Sequence, residues 1–194
     1  PDHEGIALLP GGTFAVAGES GSGGPILPPS VSIYSRYGDF VYRLPVPDKF
    51  VPEPTGTATR GARGNAGFES LTLAPDGQRL FTAAETALLQ DGDAATFEAG
   101  ARTRILEFVA RHGTFEPGRE YAYDLEPVHR VPYPPGAYLN GLVELAAVNQ
   151  RGQVTTPGIA TVALPSRDVS LPTFIDGAGI DLDLPVVEPE ALVD

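Results

Sequence analysis

The chain contains no cysteine, and Lys49 is its only lysine. Without cysteine there is no disulfide framework, no thiolate chemistry and no Cys-type zinc site; the absence fits any compartment. The shortage of lysine accompanies an acidic balance, since 13 basic residues face 25 acidic ones and the net charge is −12. Proteins that neutralise phosphates gather Lys and Arg, so the balance argues against nucleic acid as a partner and against an anionic membrane surface. An acidic surface suits metal cations or serves solubility alone. No apolar run approaches the roughly 20 residues of a membrane span, and no signal-peptide pattern is visible. The first residue is Pro1, followed directly by Asp2-His3-Glu4-Gly5. That start predicts a processed or excised piece of something longer.

Glycine and proline are plentiful, at 23 and 20 of 194 residues. Both are poor helix-interior residues, so helical bundles and coiled coils are disfavoured and many short strands joined by turns are expected. The 42% hydrophobic content is too high for a disordered chain. The length allows one domain, or two small ones, with a real core.

An internal repeat organises the chain. Glu4-Gly5-Ile6-Ala7-Leu8-Leu9-Pro10-Gly11-Gly12 matches Glu69-Ser70-Leu71-Thr72-Leu73-Ala74-Pro75-Asp76-Gly77. Each copy continues into an apolar stretch ending at a glutamate, Phe14 to Glu19 and Leu80 to Glu85. This reads as a β-hairpin with a Gly-containing turn. The match then extends to Ser30-Val31-Ser32-Ile33-Tyr34 with Arg104-Ile105-Leu106-Glu107-Phe108, and through Arg36-Tyr37-Gly38 and Arg111-His112-Gly113 to Asp39–Leu44 and Glu120–Leu125. Each unit therefore predicts four consecutive antiparallel strands, the signature of a β-propeller blade. The fold class expected is all-β and propeller-like, a single partial domain over 1–194 with units at about 4–46, 68–127 and 140–187.

The third unit opens at Asn140-Gly141-Leu142-Val143-Glu144 and then decays, with a second strand missing or very short near Val154. A further strand is expected at Ile159–Leu164, and Glu190–Asp194 reads as a last strand or the first of another unit. The links at 18–29, 47–66 and 131–136 are rich in Gly, Ser or Pro. Loops of that length are functional or mobile, and mobility is the expectation here.

Several segments follow one another in order: Asp2-His3-Glu4-Gly5-Ile6, Leu44-Pro45-Val46-Pro47, Asn65-Ala66-Gly67-Phe68-Glu69-Ser70-Leu71, Leu88-Leu89-Gln90-Asp91-Gly92 after Glu85, Arg104-Ile105-Leu106, Tyr121-Ala122-Tyr123 and Asn140-Gly141. This ordered series resembles the phytase-like family with esterase-like activity. The resemblance covers about residues 2–145. It implies a propeller-like fold related in outline to calcium-dependent β-propeller phytases, an extracytoplasmic (periplasmic or secreted) location, and hydrolysis of ester or phosphate-ester substrates. The family has a further stretch before Asp-x-Glu-Gly, and an apolar strand ending in Glu-Arg after the Asn-Gly strand. Here Val148 runs into Asn149-Gln150-Arg151-Gly152 instead. An open propeller with exposed strand edges is implied, covered by a protein partner or by missing chain.

The recurring glutamates carry the candidate chemistry. In a hairpin, the start of one strand and the end of the next lie at the same end, so Glu4 should approach Glu19 and Glu69 should approach Glu85. Around a propeller axis all four converge on one rim, with Asp2, Asn65, Asp91 and Asn140 in or near its loops. Clustered carboxylates repel unless a cation or shared protons relieve them. A Ca²⁺ ion, which takes about 6–8 oxygen ligands, suits Glu4, Glu19, Glu69 and Glu85, and would polarise a phosphoryl or acyl oxygen. The alternative role is structural, with the carboxylates accepting backbone N–H groups at the channel mouth. Asp2, Asn65, Arg63 and Asn140 are the candidate substrate contacts, Arg63 with Arg60 for an anionic ester or, alternatively, as part of a solvated loop. No nucleophile elbow is present, since Ser20-Gly21-Ser22-Gly23-Gly24 lacks the first glycine. His3, His112 and His129 have no metal-ligand spacing; His112 is expected in a turn, and His3, between Asp2 and Glu4, is a weaker acid–base candidate. A second function class stays open beside the hydrolase: a non-catalytic propeller serving as a binding or assembly module.

Overall fold

Short runs of aliphatic and β-branched residues punctuated by glycine favour strands over helices, and the computed structural model has this architecture. It describes residues 2–19, 27–54, 57–129 and 140–148, with the backbone of a short strand at 154–155. Ser20–Gly24, the link at 131–136, the expected strand at Ile159–Leu164 and the terminal segment lie outside the described residues. Among the described residues, the only helical pieces are three single 3-10 turns.

Two four-stranded antiparallel sheets form, each ordered along the chain. The first comprises β1 (Asp2–Leu8), β2 (Phe14–Glu19), β3 (Ser30–Tyr34) and β4 (Phe40–Arg43). The second comprises β5 (Phe68–Leu73), β6 (Arg79–Ala84), β7 (Ala101–Arg111) and β8 (Thr114–Leu125). The sheets are open, and neither is closed on itself. The hairpin turns fall at the repeated glycines: Gly77 donates its N–H to Ala74 O at 2.8 Å, with φ of 69°. At the later turns Gly38 and Gly113 have φ of 89° and 85°, and His112 shares the left-handed region at 51°.

Register explains which side chains go inside. The row Ala7–Ala15–Ile33–Tyr42 crosses the first sheet on one face, and Leu8–Phe14–Tyr34–Phe40 crosses it on the other. The first of these faces packs against the second sheet. Ala15, Ala17, Val31 and Ile33 share one core with Leu71, Leu80, Leu106 and Phe108. The opposite face of the second sheet has its own core, in which Phe81, Ile105, Tyr121 and Tyr123 bury Leu142 and Leu145. The start of the third unit is thus docked, though its regular pairing is short: β9 (Ala146–Ala147) pairs with β10 (Val154–Thr155). The N–H of Ala147 reaches Thr72 Oγ1 of β5 at 2.9 Å.

Parts of the 47–66 connection are packed, around Phe50 and Pro52 and around Gly61 and Ala62, while Thr57, Thr59 and Arg60 between them are exposed. Phe50 is fully buried, its ring centroid 5.4 Å from that of Phe68. Ala62 N–H donates to Phe50 O at 3.0 Å, and Gly61 N–H donates to Gln90 Oε1 at 2.8 Å. Burial of that aromatic ring removes apolar area from water and, with these hydrogen bonds, anchors the link at these points.

Candidate carboxylate centre

A β-bulge is the local device that aims the first-strand glutamates. His3 pairs with Gly18 and Ile6 with Val16, so β1 carries one extra residue at Glu4–Gly5. Phe68 pairs with Ala84 and Ser70 with Ala83, so β5 carries one extra residue at Glu69. A bulge bends its strand and redirects a side chain, and the repeat places one at each equivalent glutamate. At the first bulge a side chain is forbidden: a Cβ on Gly5 would lie 2.5 Å from Leu71 N and 2.7 Å from Ser70 C. Glycine there lets β1 and β5 approach backbone to backbone, which brings the carboxylates of the two sheets together.

The second-strand glutamates arrive at the same place. Asp2 pairs with Glu19 across the first hairpin, and carboxylate oxygens of Asp2, Glu4 and Glu19 all lie within 4.8 Å of one another. Glu19 is buried, at 3% exposure, and accepts the backbone N–H of Gly67 from the approach to β5. Glu69 and Glu19 act on each other's carboxyl, Glu19 raising the Glu69 value. Glu85 follows β6; its N–H donates to Gly67 O at 2.9 Å, and its backbone oxygen accepts from Leu142 N–H at 2.8 Å.

The electrostatics follow from this crowding. Burial, then the charges of Glu85, Glu19 and Glu4, push the Glu69 carboxyl up to about 8. Burial, then Glu19 and Glu4, push Glu85 up to about 7. Burial also raises Glu19, opposed by the Gly67 amide and reinforced by Glu4 and Asp2. The charges raising Glu69 and Glu85 are all negative, so the centre has the polarity of a cation site or of a set of shared protons. The donors are hard carboxylate oxygens, the set that suits Ca²⁺ rather than zinc or copper.

The remaining candidates are placed differently. Arg63 donates from Nε to Ala87 O at 3.0 Å and from Nη2 to Gly92 O, so its guanidinium secures the loop after Glu85. Asn65 sits beside it at a tight turn with φ of 53°, where Arg63 and Ala66 form an isolated bridge. Asn140 donates from Nδ2 to Glu126 O at 2.7 Å, next to the Gly141–Leu142 segment that meets Glu85. Asp91 leaves the rim altogether and forms a bidentate pair with Arg104, Nε–Oδ2 2.6 Å and Nη2–Oδ1 2.7 Å. Glu120 completes that pair from the other side, with Lys49 at 3.3 Å. This buried network was not legible in the sequence, because nothing in the spacing of Asp91, Arg104 and Glu120 ties the three together.

Gly67 is required where it stands. A Cβ there would lie 2.6 Å from Glu19 Cβ and 3.3 Å from its Oε2. We expect Gly67→Ala to displace Glu19 and lower stability by about 1–3 kcal/mol, the ordinary cost of overpacking. A shift in urea midpoint at unchanged m-value checks it; an unmoved midpoint would show that Glu19 gives way freely.

A family model described as "Phytase-like: Esterase-like activity of phytase" matches residues 1–155. A curated protein of Arthroderma benhamiae, named only as an uncharacterized secreted protein, is 29% identical over 112 residues. That match takes in 47% of this chain and 20% of the relative, so the chain spans about a fifth of the length of the curated protein it matches. No solved structure matches the chain. Among the described residues, no helix is long and apolar enough to cross a membrane.

Proposed function

The chain belongs to the phytase-like family with esterase-like activity, and from that premise we propose that it is an extracytoplasmic hydrolase of ester or phosphate-ester substrates, assisted by Ca²⁺. The family supports a hydrolase-type function, and the secreted relative supports the location. The observation that carries the cation is the approach of Asp2, Glu4 and Glu19, whose carboxylate oxygens lie within 4.8 Å of one another, with the charges of Glu4 and Glu19 acting on Glu69 and Glu85. Those four glutamates would hold the ion, and a bound Ca²⁺ supplies Lewis-acid polarisation of a phosphoryl or acyl oxygen. The chain's own contribution is to hold the carboxylates by two bulges and one backbone amide, so that their repulsion is relieved on ligand entry. Glu69, whose carboxyl is pushed to about 8, is suited to hold a proton at neutral pH and release it when the centre is filled. In this reading the two sheets are consecutive blades of a propeller, with the carboxylate line on its axis.

A second reading is favoured by a specific contact. Glu19 accepts the Gly67 N–H, which is what a carboxylate does when it only fixes blade geometry, and the side chains of Arg63 and Asn140 are engaged with backbone carbonyls. On that reading the chain is a non-catalytic propeller module within a larger assembly. Turnover of a generic phosphate ester and a generic acyl ester, each with Ca²⁺ and with chelator, separates the two. The hydrolase reading expects Ca²⁺-dependent turnover that Glu69→Gln lowers about 100-fold or more. No turnover of either ester with Ca²⁺ present, and no effect of Glu69→Gln on calcium binding, would leave the binding module.

A further inference from the structure

Two backbone segments fix the second-strand glutamates, and one guanidinium joins them. The first segment is residues 63–67. Its Gly67 donates its N–H to a Glu19 carboxylate oxygen, and its own carbonyl accepts the Glu85 N–H at 2.9 Å. The second segment is residues 85–92, which leaves β6 at Glu85 and turns through Leu89–Asp91. Arg63 reaches from the start of the first segment to the second, with Nε on Ala87 O at 3.0 Å and Nη2 on Gly92 O. A ring therefore closes, from Arg63 along the chain to Gly67, across to Glu85, on to Ala87 and back to Arg63. The first segment is a tight turn: the Ala66 N–H donates to Arg63 O at 3.3 Å, and Asn65 has φ of 53°. Bonds between Leu89 N–H and Gly61 O at 2.9 Å, and between Gly61 N–H and Gln90 Oε1 at 2.8 Å, hold the outer end. Arg63 holds the stretch between that end and Gly67. Glu85 is hemmed in on its other side, where a Cβ on Gly141 would lie 2.5 Å from its Cγ.

We propose that Arg63 is a positioning residue of the carboxylate centre: by clasping Ala87 O and Gly92 O, its guanidinium keeps Glu19 and Glu85 at the spacing a cation requires. The role toward a cation rests on the calcium reading of the centre; the clasp itself does not. A guanidinium cannot ligate a cation, so Arg63 acts through the backbone. With Nε and Nη2 committed to carbonyls, the fork that would grip an anionic ester is already in use. Arginine suits the task because its planar donors meet two fixed acceptors at once, whereas a lysine ammonium is a point donor on a flexible stem. Groups that orient the ligands of a metal ordinarily carry 10–100-fold of its affinity.

Arg63→Gln and Arg63→Lys are made in the full-length gene product, with Arg102→Gln, which loses an exposed pair with Asp124, as the control. Hydrogen exchange in chelator is followed by mass spectrometry of peptides carrying the Gly67 and Glu85 amides and of peptides from β7. Ca²⁺ affinity is measured by titration calorimetry. Both Arg63 variants are expected to exchange about 10-fold or more faster at Gly67 and Glu85 with β7 unchanged, and to bind Ca²⁺ about 10-fold or more weakly. Arg102→Gln should alter neither. Arg63→Lys, the milder change, decides alone if Arg63→Gln does not fold. Unchanged exchange at Gly67 and Glu85 overturns the proposal, and so does a uniform rise that includes β7, the mark of a general loss of stability. Parent values restored by lysine also overturn it, because a charge would then suffice without the clasp. Faster exchange with undiminished Ca²⁺ affinity confines Arg63 to the loop and overturns the positioning role. If the parent protein takes up no Ca²⁺, the calcium reading fails, and the exchange pattern alone decides whether Arg63 holds Glu19 and Glu85 in place.

Discussion

Arg104→Met is expected to destabilise the protein by about 3–5 kcal/mol, the range seen when one member of a buried ion pair is removed. The Arg104 side chain is 2% exposed, and it holds Asp91 at 3% and Glu120 at 7%. Methionine fills much of the volume but leaves Asp91 buried with its bidentate partner gone, and an unpaired buried carboxylate is far costlier than the pair was worth. Glu120 keeps Lys49, so the loss falls mainly on Asp91. For a chain of this size the melting temperature should fall by about 10 °C, and the double change Arg104→Met with Asp91→Asn should recover part of it, since the stranded charge is removed. A single variant as stable as the parent would mean that Asp91 finds water in place of the guanidinium. The effect should also reach the carboxylate centre. Asp91 anchors the same loop that Arg63 holds through Ala87 O and Gly92 O, and that loop begins at Glu85.

The second large effect is a stability that falls as pH rises. Glu69 and Glu85 have folded-state carboxyls near 8 and 7 against an ordinary value of 4.5. Below pH 4.5 both are protonated whether the chain is folded or not, and their contribution is fully present. Between 4.5 and 8 the unfolded chain releases protons that the folded chain retains, so stability declines through this window and levels off above it. With allowance for partial exposure and mutual coupling, the loss between pH 5 and 8.5 is about 2–4 kcal/mol in chelator. Urea midpoints at the two pH values measure it, and Glu69→Gln should flatten much of the slope. On the proposed calcium reading, adding Ca²⁺ should reverse the trend, because a bound cation stabilises the ionised forms. At 100 times its dissociation constant the gain is about 2.7 kcal/mol, accompanied by proton release near pH 6.5 that vanishes above pH 9. A flat profile in chelator would mean that the carboxylates are well solvated and independent.

The parts of the fold that could be read from the sequence are those set by local chemistry. Apolar runs ending in Pro-Gly-Gly and Pro-Asp-Gly marked the hairpins, and the common offset of Glu4 with Glu69 marked the repeat of four strands. The approach of Glu4 to Glu19 followed from the rule that a strand's start and its neighbour's end coincide. What escaped was set by pairing across distance. The bulges at Glu4–Gly5 and Glu69 depend on register, which one extra residue alters without changing composition; Gly5 inside a strand was the available hint. Asp91 reads as one more rim carboxylate until β7 brings Arg104 beside it from 13 residues away. Arg63 and Asn140 look free to meet a substrate in sequence, and the structure has them bonded to backbone carbonyls. The anchoring of the 47–66 link by Phe50 was likewise a tertiary effect.

The unlike faces of the two sheets have a consequence for symmetry. Contact between a bulky face and an alanine-rich one is heterologous: the first and second sheets bring different surfaces to it. Repetition of such a contact has a direction, so it either returns to its origin as a ring or continues until a different surface terminates it. A change at Ala15 or Ala17 that enlarges the small face would therefore act on one side of the first sheet only, altering its rotation relative to the second.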